Sequence, residues 1–114
     1  MSLAFINEIY NITKNFLTNE SYGLTSQMRR ASVSIASNIA EGSAKSTTKE
    51  FLRFIDMSFA SIAEIDTQLE ISRMQAYIPD KKFSELILRL QSIERMLGGL
   101  KKSLINKLTP LTNH

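Results

Sequence analysis

The chain contains no cysteine, only two prolines and four glycines, and a single histidine at its last position, His114. Without cysteine there is no disulfide framework, no thiolate nucleophile and no thiolate metal site. With one terminal histidine, a histidine dyad or a histidine-based metal site within one chain is not expected, and the Glu-x-x-His motif of di-iron bundles is missing. The glycines are isolated or paired at Gly98-Gly99, so no glycine-rich phosphate loop forms; Gly42 to Thr47, "GSAKST", lacks the spacing and the preceding strand of one. No apolar run approaches the ~18 residues of a membrane span. The start, "MSLAFINEIY", has no basic flank and no small-residue cleavage pattern. The expectation is a cytoplasmic protein with no membrane partner, no metal, no cofactor and no enzymatic activity.

The same scarcity of glycine and proline favours an all-helical chain. The 114 residues, 43% of them hydrophobic, suffice for one domain around one core. Helical spacing predicts four segments, about 3–17, 26–41, 48–76 and 81–108. The first places Leu3, Ile6, Ile9, Tyr10, Phe16 and Leu17 near helical period, and "TNESYG" from Thr18 to Gly23 reads as a loop. The second starts with Thr25 as N-cap and ends at Glu41, with Gly42 in the position of a left-handed C-terminal glycine. Thr47 and Glu50 have capping-box spacing before the third helix. Its stripe is Phe51, Phe54, Ile55, Ser58, Ile62, Ile65 and Leu69. "YIPD" closes it, with Asp80 as the next N-cap. The fourth carries Phe83, Leu86, Leu90, Ile93, Leu97, Leu100, Leu104 and Leu108 in a sustained three-four rhythm. Gly98 and Gly99 lie off that stripe, where they suggest a kink or a close helix approach. Four amphipathic helices with short connections make an all-α, antiparallel up-down four-helix bundle.

The pattern breaks in three places. On the second helix Met28, Ala31, Ile35 and Ile39 form one stripe and Val33, Ala36 and Ala40 a second, with Arg29 beside the second. An apolar arc that wide is covered on two sides. Either the helix is deeply inserted in its own bundle, or it offers a further surface for self-association or for a partner helix. On the third helix Asp66 and Arg73 intrude on the apolar arc, with Glu70 at its edge. Glu70 has the spacing to pair with Arg73, and these charges could otherwise reach Arg29 or another subunit. Glu94 and Lys101 flank the leucine seam of the fourth helix. The third break is in charge. The net value is +3, and Arg95, Lys101, Lys102 and Lys107 close the chain with no acidic residue among them. Lys45, Lys49 and Arg53 recur every fourth residue, and with Arg30 they form a candidate strip for the phosphates of RNA or DNA, or an ordinary solvated face.

The run "YGLTSQMRRASVSIASNIAEG", followed by "EFLRFIDMSFASIAEIDTQLEIS", resembles the four-helix bundle proteins encoded in intervening sequences of 23S ribosomal RNA genes. The resemblance is carried by Arg29, Arg30, Ala31, Ser34, Ile35, Asn38, Ile39, Ala40, Glu41 and Gly42, and further on by Phe54, Ser61, Glu64, Gln68 and Leu69. The chain departs from the family pattern at Phe16-Leu17, where Phe-Pro is usual, and at Ala60-Ser61, where Gly-Ser is usual. The resemblance implies a left-handed antiparallel bundle and a ring-like homo-oligomer, a pentamer, with no established enzymatic activity. Accessory proteins of diversity-generating retroelements are similar to this family; they are basic oligomeric partners of a reverse transcriptase and nucleic acid. Read this way, Arg29, Ser34, Asn38, Glu41, Gly42, Asp66 and Arg73 are expected to be structural or interface residues. Arg30, Lys45, Lys49 and Arg53 are the candidate contacts to nucleic acid or to a protein that handles it. The alternative is a protein-protein adaptor that uses the wide face of the second helix and binds no nucleic acid.

Overall fold

The computed structural model describes residues 2–14, 16 and 19–108. Four helices follow one another: α1 (Ser2–Thr13), α2 (Asn19–Ser43), α3 (Thr48–Met74) and α4 (Asp80–Leu108), and no strand occurs among the described residues. Leu17, Thr18 and His114 lie outside the described residues.

The helices pack antiparallel. Ser58 of α3 donates to the Ile35 carbonyl of α2 at 2.9 Å, and further along α3 Ser72 meets Met28, further back on α2. Arg73 stacks over Phe83 at one end of the α3–α4 pair, and Lys101 reaches Asp56 toward the other. Glu8 ties α1 to α4 through Arg89 at 2.9 Å and Lys82 at 3.6 Å. The most extensive contact is α2 on α3. Ser32, Ser58 and Ser72 are fully buried there and on the flanks of these helices, where larger residues would hold the backbones apart. Each hydroxyl finds an acceptor one turn back or on the facing helix, which offsets its desolvation.

The core matches the predicted stripes on three helices except at the end of α4, where Leu108 is 50% exposed. Met28, Ala31 and Ile35 of α2, Ile55, Ile62, Ile65 and Leu69 of α3, and Leu86, Leu90, Ile93, Leu97 and Leu104 of α4 form one buried cluster. The first helix is different. Phe5, Ile9 and Ile12 face the core, while Leu3 is 75% exposed. Among six apolar residues in so short a segment, more than one stripe fits the period.

The ends of the elements differ from the spacing prediction for identifiable reasons. α1 stops at Thr13, so Phe16 is outside it. α2 starts at Asn19, inside the stretch read as a loop, which puts Thr25 and Gly23 in the helix interior. Gly23 costs about 1 kcal/mol there, and the packing of Leu24 and Met28 on the core outweighs it. Gly42 does not take a left-handed conformation; α2 runs through it to Ser43. Asp80 is the first residue of α4 rather than its cap, since the Phe83 N–H bonds to the Pro79 carbonyl at 3.0 Å. Thr47 does cap α3, its hydroxyl accepting the Glu50 N–H at 3.1 Å. Gly98 and Gly99 face open space and mark no close helix approach.

A candidate nucleic-acid interface

The turn from α2 to α3 is drawn tight by Gly42. A methyl group there would lie 2.8 Å from both the Phe51 ring and the Phe54 Cβ. This close approach sets the connecting segment beside Phe54, which is buried. Lys45 sits 5.1 Å from the centre of that ring and Arg53 4.9 Å, so the two cations are held by ring contacts in the first turns of the α2–α3 corner. Arg53 also forks onto both oxygens of Glu50 at 3.3 Å. That hydrogen bond and the charge of Arg53 hold the Glu50 carboxyl below its ordinary pKa, so at neutral pH it is ionised and offsets one positive charge. Lys49 is exposed and makes no hydrogen bond or ion pair among the described residues.

The end of α4 arrives at the same place. Lys101 bonds to Asp56 at 2.8 Å, and seven residues further along α4 cover ~10 Å. That brings Leu108 level with Lys49 on the antiparallel α3. Lys102 and Lys107 are exposed and, like Lys49, have no partner among the described residues. This end of the bundle therefore holds Lys45, Lys49, Arg53, Lys101, Lys102 and Lys107 against Glu41, Glu50 and Asp56. The rest of the chain carries eight basic and eight acidic residues, so the whole net charge of +3 resides at this one end. The three C-terminal lysines were visible in the sequence as an acid-free run. Their arrival at the same end of the bundle as Lys49 depends on the register of α4 against α3.

Arg30 is elsewhere. It is exposed on α2, ~20 Å along the helix from the α2–α3 turn, beside Arg29. Arg29 is half-buried and finishes α1: its Nε donates to Thr13 Oγ1 at 2.9 Å, its Nη2 to the Tyr10 carbonyl at 3.3 Å, and its guanidinium lies 4.6 Å from the Tyr10 ring centre. A cation at the last carbonyls of a helix satisfies acceptors that have no partner within it and complements the dipole.

Asn38 is buried at the α2–α3 seam, and its amide donates to the Ser34 carbonyl at 2.9 Å and to Ser34 Oγ at 3.0 Å. Ser61 of α3 joins the same hydroxyl at 2.9 Å. Asn38, Ser34 and Ser61 thus form a polar link between the two helices. Glu41 is exposed. Asp66 is exposed on α3 and shares a cavity of about 190 Å³ with Glu94 of α4. Arg73 pairs with Glu70 at 2.9 Å and lies over Phe83, so it does not reach Arg29. Among the described residues, no group of three or more metal-binding side chains converges, and no helix is long and apolar enough to cross a membrane.

No curated protein matches this sequence. A crystal structure of a protein with unknown function from the S23 ribosomal protein family of Bacteroides thetaiotaomicron VPI-5482 superposes with a TM-score of 0.81 at 22% identity, over 89% of this chain and 94% of that one. At that identity the likeness concerns the fold. The model of the 23S rRNA-intervening sequence protein family matches residues 1–99, which takes in all of α1 to α3 and most of α4. The chain belongs to the 23S rRNA-intervening sequence protein family.

Proposed function

We propose that this chain is a non-enzymatic cytoplasmic scaffold that assembles with copies of itself, as a pentamer, and holds the phosphates of RNA or DNA at the basic end of its bundle, alone or alongside a protein that handles nucleic acid. The observation that carries the reading is the set of three lysines without a partner among the described residues, Lys49, Lys102 and Lys107, on two helices at the end that bears the entire net charge. Lysines without carboxylate partners are free to displace counterions from a phosphate backbone. Assembly supports the reading, because repetition of a weak patch raises the effective concentration of every further contact. The outward stripe of α2 favours self-association: Val33 is 38% exposed, Ala36 is half-buried and Ala40 is exposed. The same stripe supports the second reading, an adaptor that docks a partner helix there and binds no nucleic acid.

Fluorescence anisotropy with labelled RNA and DNA at two salt concentrations separates the two. The scaffold reading expects binding at low salt that weakens steeply as salt rises. No binding at low salt leaves the adaptor. Light scattering over a range of protein concentrations tests assembly independently, and a monomer at every concentration removes the oligomer.

A further inference from the structure

Where α1 ends against α2, Tyr10, Thr25, Ser26, Arg29, Arg30 and Val33 line an open groove of about 460 Å³. Five of the six come from one face of α2, at spacings that place them along the same side of the helix. Among the described residues no carboxylate lines it. Arg30 is exposed and makes no hydrogen bond or ion pair among the described residues. Arg29 is partly committed to the end of α1, whose dipole is equivalent to roughly half a negative charge. With one guanidinium half offset and the other without a partner among the described residues, these two side chains bring an excess of about one and a half positive charges to the groove.

We propose that this groove binds a small phosphomonoester. Two planar guanidiniums match the charge and the several oxygens of a phosphate dianion better than those of a single carboxylate. The hydroxyl of Ser26 supplies a further donor on the same wall. The volume is larger than a bare phosphate needs and falls in the range of small-ligand pockets. Tyr10, 38% exposed, gives the organic part an apolar surface. The site lies ~20 Å along α2 from the basic end, so it stands or falls separately from nucleic-acid binding there.

The test is an NMR titration of the full chain with inorganic phosphate, ribose 5-phosphate and, as control, ribose. Saturable shifts at Tyr10, Ser26 and Arg30 are expected with both phosphates and none with ribose, with ribose 5-phosphate the tighter. Arg30→Ala, on an exposed side chain, should keep the melting temperature and weaken binding tenfold or more, Arg30→Lys should recover part of it, and Lys49→Ala should leave it unchanged. The proposal is overturned if neither phosphate gives saturable shifts at these residues, if the shifts map only to the basic end, or if Arg30→Ala binds as tightly as the parent. Equal affinity for inorganic phosphate and ribose 5-phosphate overturns the organic subsite and leaves a site for the free anion.

Discussion

At Gly42 two opposing effects can be weighed. Alanine is the better helix former by about 1 kcal/mol, and the site lies within α2. Yet the added methyl would meet the Phe54 Cβ at 2.8 Å, an atom fixed to the α3 backbone that cannot swing aside. Overpacking of this kind costs ~1–3 kcal/mol, so the steric effect wins. Gly42→Ala is expected to destabilise the protein by up to about 2 kcal/mol in urea unfolding, the overpacking cost less the helix-propensity gain. Gly99→Ala, which faces open space in α4, is expected to stabilise it by about 1 kcal/mol. If both glycines responded alike, the close approach at the α2–α3 turn would not be what selects glycine. The sequence placed Gly42 correctly at a helix end but for a local reason, a left-handed stop. The reason found here lies nine and twelve residues away, in Phe51 and Phe54, and no spacing rule encodes it. Arg29 is similar: its nearness to the second apolar stripe was legible, whereas its acceptors on Thr13 and Tyr10 belong to another helix.

At the scale of elements, the end of α3 carries a correctable strain. Ala76 has φ of 59°, the left-handed region, while the Ala76 N–H bonds to the Arg73 carbonyl at 3.0 Å and the Tyr77 N–H to the Ser72 carbonyl at 2.8 Å. This is the Schellman arrangement, in which glycine is the usual occupant. An alanine there costs roughly 1–2 kcal/mol, part of which glycine returns as extra freedom in the unfolded chain. Ala76→Gly is expected to stabilise the protein by about 0.5–1 kcal/mol, read as a rise of a few degrees in thermal melting. An unchanged or lower melting temperature would show that φ at Ala76 is relaxed. The existence of all four helices was legible, because the apolar period of α2, α3 and α4 is long and regular. So was the Thr47 cap, whose donor is only three residues on. The start of α2 and the end of α1 were not: polar residues such as Asn19 and Ser21 read locally as loop, and it is the burial of Leu24 and Met28 against other helices that carries α2 past them.

The whole molecule is a rod of 57 × 24 × 19 Å with its net charge at one tip. Placement, rather than total charge, is what distinguishes a built phosphate-binding end from a mildly basic surface. The basic strip was only half legible: Lys45, Lys49 and Arg53 share a corner as their spacing suggested, Arg30 does not, and Lys101, Lys102 and Lys107 join only through helix register. Two triple variants isolate placement. Replacing Lys49, Lys102 and Lys107 with alanine, or replacing Lys14, Lys81 and Arg95, lowers the formal charge equally. Both sets are exposed, so neither should disturb the fold. Each phosphate contact contributes about 0.9 to the slope of log affinity against log salt on duplex DNA. The first variant should therefore lose about 2.7 from that slope along with most of its low-salt affinity, while the second keeps a slope close to the parent's. Equal losses in the two would mean that the DNA senses only the overall charge of the rod and that its basic tip is not a binding surface.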